Sequence, residues 1–184
     1  MGKILKITGK IRGGTILKKT IALLFALAVI TGFCFAADPV EGYWISIDEN
    51  TGKITAGWEI YQTNGKLFGK ILSLADHPKT ALADKCKESY AGFPVNGTVN
   101  KMTVVGTPWI YSLSMKKTGE WDSGSIVNPD DGKLYKCRII FRQADGKKFK
   151  TDMLEMRGEI GLGIGRSQFW QKTDLKTAES LGPK

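Results

Sequence analysis

Apolar and polar residues alternate with period two along most of the chain after its first 37 residues. In residues 53–61, Ile54, Ala56, Trp58 and Ile60 face one way; Lys53, Thr55, Gly57 and Glu59 face the other. In residues 109–115, Trp109, Tyr111, Leu113 and Met115 alternate with Ser112 and Ser114. In residues 134–142, Tyr135, Cys137, Ile139 and Phe141 alternate with Lys136, Arg138 and Arg142. Period two with β-branched and aromatic residues predicts strands with one buried face. Turn residues punctuate them: residues 48–52, Asn64-Gly65, residues 117–119, residues 128–132 and Asp145-Gly146. Asn-Gly and Asp-Gly supply the positive φ of tight hairpins. About eight strands joined mostly by hairpins predict an all-β fold, an antiparallel up-and-down barrel whose closure removes exposed edges.

One connection departs from this pattern. Residues 75–94 separate two strand-like segments, and residues 79–87 within them suit one or two helical turns. A connection this long in a compact domain is typically a lid, a binding loop or a disordered segment. It is expected to lie over one end of the barrel. The polar tail, residues 173–184, is expected to fray.

The start of the chain follows a different rule. Lys3, Lys6, Lys10, Arg12, Lys18 and Lys19 precede the apolar run of residues 21–35, which ends in Cys34-Phe35-Ala36. A basic stretch, an apolar stretch and a small-residue exit predict a signal peptide over residues 1–36. The apolar run is shorter than the roughly 20 residues of a spanning helix, so no stable transmembrane span is expected after cleavage. Phe33 before Cys34 disfavours lipid attachment there. The domain expectation is therefore a leader (1–36), one barrel (37–172) and a tail (173–184), exported to the periplasm or envelope of a bacterium.

This leader changes the charge picture. The whole chain has a formal net charge of +9. The leader holds six of the 27 Lys and Arg residues and none of the 18 Asp and Glu residues, which leaves +3 for the rest. That is ordinary for a soluble domain and gives no reason to expect a nucleic-acid partner. Two cysteines follow the leader, Cys86 and Cys137. An even count in an exported chain predicts a disulfide, with two separate thiols as the alternative. Closing that loop would stabilise the fold by roughly 4 kcal/mol on the chain-entropy model.

Candidate chemistry is sparse. Gly161, Gly163 and Gly165 are spaced for one face of a bent strand, with a ligand on the bare face as the alternative. Residues 128–132 suit a hairpin turn and lack the ligand alternation of a calcium loop. Asp76, His77, Asp84 and Cys86 form a metal-like cluster with one imidazole, too few strong ligands for a stable site, so no metal or cofactor is expected. No nucleophile elbow accompanies His77. Asp152, Glu155 and Glu159 crowd one region, and of these Glu155 and Glu159 share a face; no catalytic residue is assigned. Trp58, Trp109, Tyr111, Trp121 and Tyr135 are the candidate lining of an apolar pocket.

Gly42-Tyr43-Trp44 on the first strand resembles the closing device of lipocalin-type barrels. There a tryptophan plugs one end and a guanidinium packs across it. Arg166 is the first candidate partner for Trp44 and Arg157 the second. Further matches are Gly69, residues 94–97, Gly119, Trp121, Gly124, Asn128-Pro129, residues 132–135, Arg157-Gly158, Gly165-Arg166 and Trp170. Together these residues resemble the exported bacterial family called domain of unknown function 2147, over about residues 40–171. The resemblance implies a lipocalin-like barrel and no settled activity. The function expected is binding of a small apolar or amphipathic molecule, such as a lipid, in the barrel mouth. An envelope interaction module and an acid-base enzyme are the alternatives, and no protein partner is specified.

Overall fold

The computed structural model of the chain describes residues 37–161 and 163–183. The expected leader lies outside the described residues. Eight strands occur among them: β1 (Gly42–Ile47), β2 (Ile54–Thr63), β3 (Lys66–Leu74), β4 (Pro108–Lys117), β5 (Glu120–Asn128), β6 (Lys133–Arg142), β7 (Met153–Gly161) and β8 (Ile164–Thr173). Each pairs antiparallel with its sequence neighbour, and β1 pairs with β8 to close the barrel. The all-β, up-and-down, eight-stranded barrel predicted by the alternation is the observed fold.

Local chemistry explains the tight hairpins. Asn64 and Gly65 both take positive φ, 50° and 71°, as a two-residue turn between β2 and β3 requires. Asp48 organises the β1–β2 turn by accepting from Thr51 N (2.8 Å), Thr51 Oγ1 (2.8 Å) and Asn50 N (3.1 Å). Residues 128–132 form the β5–β6 turn, in which Gly132 N donates to Asn128 O at 2.9 Å.

The three glycines near the end of the chain do not share one strand. Gly161 ends β7, Gly163 lies in the turn, and Gly165 is the second residue of β8. Gly161 and Gly163 have φ of 114° and 75°, and Gly161 pairs with Ile164 across the β7–β8 hairpin. The expected bent strand is a hairpin.

The long connection, residues 75–107, contains only a 3₁₀ turn at Val99–Lys101 and two isolated bridges, Leu82 with Thr103 and Ile71 with Val105. No helix forms over residues 79–87. Nor does the segment roof the barrel. It lies against the outside of β4, where Phe93 packs on Trp109 (ring centroids 5.9 Å) and on Tyr111 (5.4 Å). Trp109 Nε1 donates to Val104 O at 2.7 Å, and Tyr111 Oη to Ala91 O at 3.3 Å.

The tail also departs from expectation. A short helix, α1 (Leu175–Glu179), packs on the outer faces of β1, β2 and β3. Asp174 caps it by accepting from Thr177 N at 2.8 Å. Ala178 is fully buried and its carbonyl accepts from Ser73 Oγ. A Cβ at Gly57 would fall onto that carbonyl, so this glycine lets the helix approach.

The two cysteines are both buried, and both are free thiols. The predicted disulfide is absent for a geometric reason. The Cα of Cys86 sits beside Gly132 at the β5–β6 turn. Cys137 lies five residues further along β6, roughly 16 Å at the rise of an extended strand. A disulfide needs Cα atoms within about 7 Å.

Candidate functional site

The two ends of the barrel differ. At one end the chain before β1 forms a plug. Val40 and Trp44 are fully buried, and Trp44 Nε1 donates to Val40 O at 2.9 Å. Asp38 fastens the plug by accepting from Gly119 N through both carboxylate oxygens, at 3.2 and 3.0 Å. A cation packs on Trp44, but it is not an arginine. Lys172 pairs with Trp44 across the β1–β8 seam, and its Nζ lies 4.3 Å from the ring centroid. It donates to Glu41 O at 2.6 Å. Burial pushes its pKa below the ordinary lysine value. Gly42 has φ of 117°, and a Cβ there would lie 2.9 Å from Lys172 Nζ, so the glycine of the Gly-x-Trp motif makes room for this ammonium.

The two arginines expected at Trp44 are elsewhere. Arg157 donates to Glu159 Oε1 at 2.6 Å and to Gly163 O at 3.0 Å, bracing the β7–β8 hairpin. Arg166 stands opposite Gly158 near the start of β8, at the far end of the barrel.

Among the described residues that far end is open. It holds a cavity of about 610 Å³. Trp58, Ile71, Ile126, Met156 and Trp170 are among its apolar lining. Trp58 and Trp170 stack with ring centroids 4.7 Å apart. Trp58 Nε1 donates to Ser46 Oγ at 3.2 Å, and Trp170 Nε1 to Gln168 Oε1 at 3.0 Å. The indole donors are thereby satisfied, and what faces the cavity is ring surface. Asp48, Asn128, Asp130, Asp131, Arg166 and Gln168 supply polar groups. Several are already engaged. Asp131 accepts from Lys133 N (2.9 Å) and Tyr135 Oη (2.9 Å). The turn hydrogen bonds from Thr51 hold Asp48 below the usual carboxylate range, and the charge of Arg166 acts in the same direction.

Of the five aromatic residues expected in a pocket, Trp58 and Tyr135 line this cavity. Trp109 and Tyr111 do not; they are covered on the outer wall by residues 90–104. Trp121 is fully buried away from the cavity, with no partner for its Nε1 among the described residues. The lining that sequence reasoning left unassigned includes Ile71, Met156 and Gln168. Their signal was available in principle. Each shares a face with a cavity residue once strand register is known: Ile71 opposes Trp58, and Met156 opposes Gln168.

The three carboxylates considered for catalysis are tied to separate partners. Asp152 Oδ1 accepts from Ala144 N at 2.9 Å, Glu155 pairs with Arg142 and Ser167, and Glu159 pairs with Arg157. None of them lines the cavity. No group of three His, Cys, Asp or Glu residues among those described is arranged to hold a metal ion. No helix among the described residues is long and apolar enough to cross a membrane.

Residues 42–172 match the family model described as "Uncharacterized protein conserved in bacteria (DUF2147)". No curated protein matches the chain. Among solved structures, the barrel is similar to one described as "Protein HP1028 from the human pathogen Helicobacter pylori belongs to the lipocalin family". The likeness has a TM-score of 0.57 at 17% identity, and it covers 74% of this chain and 84% of that one. At that identity it speaks to the fold alone.

Proposed function

We propose that this chain, which belongs to the bacterial DUF2147 family, binds a small amphipathic molecule in the open end of its barrel. The observation that carries this reading is the cavity of about 610 Å³ with an indole and aliphatic lining and polar residues around it. Its volume falls in the range of small-molecule sites, roughly 300–1,000 Å³. An apolar body would lie against the Trp58–Trp170 stack, and a polar head would meet Asn128, Arg166 and Gln168. The leader read over residues 1–36 supports action outside the cytoplasm, in the periplasm or at the envelope.

Native mass spectrometry of protein purified from its own host tests the reading. A co-purifying lipid or metabolite of fixed mass supports it. A ligand-free mass, together with no binding of the apolar fluorophore N-phenyl-1-naphthylamine, would overturn it.

One observation favours a second reading, an interaction module. Ile160 and Ile164 are 68% and 63% exposed beside the cavity. Apolar side chains left this open at a rim also suit a protein contact. A stoichiometric protein in the same mass spectrum favours that reading.

A further inference from the structure

A second recess lies on the outer wall. On β6, Lys136 and Arg138 alternate with the buried Cys137 and Ile139, so both cations stand outside the barrel. Beside them β5 bulges. Its register with β6 shifts between Trp121 and Gly124, and Ser123 takes a φ of 59°. A serine in this region is strained, and such strain persists only where the surroundings hold it. The bulge borders a recess of about 230 Å³ lined by Asp122, Ser123, Lys136, Cys137, Arg138 and Glu159. It shares no residue with the lining of the open end.

Charge is unevenly used there. Both carboxylates have cations of their own: Lys116 Nζ lies 3.4 Å from Asp122, and Arg157 Nε 2.6 Å from Glu159. Among the described residues, neither Lys136 nor Arg138 has an ion-pair partner. The Nε of Arg138 is buried and has no acceptor among the described residues. A buried donor on a charged group is costly to leave unpaired, so it asks for a partner. The surplus positive field is visible on Glu159. The hydrogen bond from Arg157 lowers its pKa first, and the charges of Arg157, Arg138 and Lys136 lower it further.

We propose that this recess binds a small oxyanion such as phosphate, held by the guanidinium of Arg138 and the ammonium of Lys136. The planar fork of an arginine matches the oxygens of such an anion, and a lysine adds a point charge. On this proposal the Arg138 side chain turns within the recess beside the Ser123 bulge, which brings its buried Nε to the anion.

Nuclear magnetic resonance of ¹⁵N-labelled protein tests this. Inorganic phosphate is titrated while the Arg138 Nε–H signal is followed, and sodium chloride at matched ionic strength is the control. The expected result is a saturable shift with phosphate alone. Lys136→Gln, at an exposed position, is expected to weaken phosphate binding about tenfold, the loss of one charge-assisted hydrogen bond. Arg138→Gln is expected to abolish the saturable shifts of neighbouring amides. An Arg138 signal that phosphate leaves unmoved overturns the proposal. So does one that chloride moves equally, or phosphate affinity unchanged by Lys136→Gln.

Discussion

Trp58 and Trp170 stack inside the barrel with planes inclined by 26°. They come from β2 and β8, the two neighbours of β1, so their contact spans the inner face of the strand that closes the barrel. The pair makes a flat apolar surface where the cavity meets the core. If a ligand lies on it, Trp58→Phe removes part of that surface and should weaken binding. A stacked aromatic contact is worth about 0.5–1.5 kcal/mol, so the affinity for N-phenyl-1-naphthylamine should fall by roughly two- to tenfold. Trp121→Phe, away from the cavity, should leave it unchanged. Fluorescence titration of both variants decides the matter, and equal loss in both would remove Trp58 from the site.

The free thiols give a second prediction. Intact protein treated with iodoacetamide should stay unmodified at Cys137 when folded, and should take two labels in this part of the chain when denatured. Burial raises the Cys137 pKa far above the ordinary thiol value. The folded chain therefore keeps the thiol protonated where the unfolded chain ionises it. The stabilisation is complete below the unfolded pKa, near 8.5, and is lost as pH rises above it. Urea unfolding between about pH 8 and 10 should show a steeper decline for the natural chain than for Cys137→Ala. Parallel declines would mean that another group dominates.

What could be read from the sequence depended on how local its cause was. The strands at 53–61 and 134–142 and the Asn64-Gly65 turn were legible because alternation and positive φ act over a few residues. The alternation of Trp109, Tyr111 and Leu113 was real but did not say which side was the core. Ser112 takes a φ of 63°, which reverses the parity. Trp109 and Tyr111 turn out beneath residues 90–104, whereas Leu113 packs against Gly124 inside the wall. Arg166 and Trp44 both lie on the seam strands, and the sequence shows no more than that of their relation. The seam register places Lys172 opposite Trp44, and that register is set by closure of the whole sheet. The cavity was legible only in kind. Trp58 and Tyr135 carry its sequence signal, while Met156 and Gln168 join it through pairing across strands.

Docking of α1 makes a third prediction. Asp174→Ala removes the cap that accepts from Thr177 N and should loosen the first turn of the helix. Gly57→Ala should act more directly, because its Cβ meets the Ala178 carbonyl. The helix would then have to lift from β2. Limited trypsin digestion should cut after Lys176 faster in Gly57→Ala than in the natural chain, with the β-sheet circular dichroism unchanged. Equal cutting rates would show that the helix does not rest on this contact.

Glu155 supplies a prediction about acid. It is only 9% exposed on the outer wall and accepts from Arg142 Nε at 2.8 Å and Ser167 Oγ at 2.9 Å. Burial raises its pKa, but the hydrogen bonds from Arg142 and Ser167 and the arginine charges outweigh that, and the net shift is downward. A carboxyl whose folded pKa is depressed stabilises the fold above its unfolded pKa, near 4.3. That contribution is lost as pH falls through the folded value. Arg142 is 40% exposed, so solvent screening holds the pair to about 1 kcal/mol. Glu155→Gln should therefore lower stability by about that amount at pH 7 and by much less at about pH 3. Urea unfolding at both pH values measures the difference. An equal penalty at the two would assign the role of Glu155 to shape and neutral hydrogen bonding, with no part played by its charge.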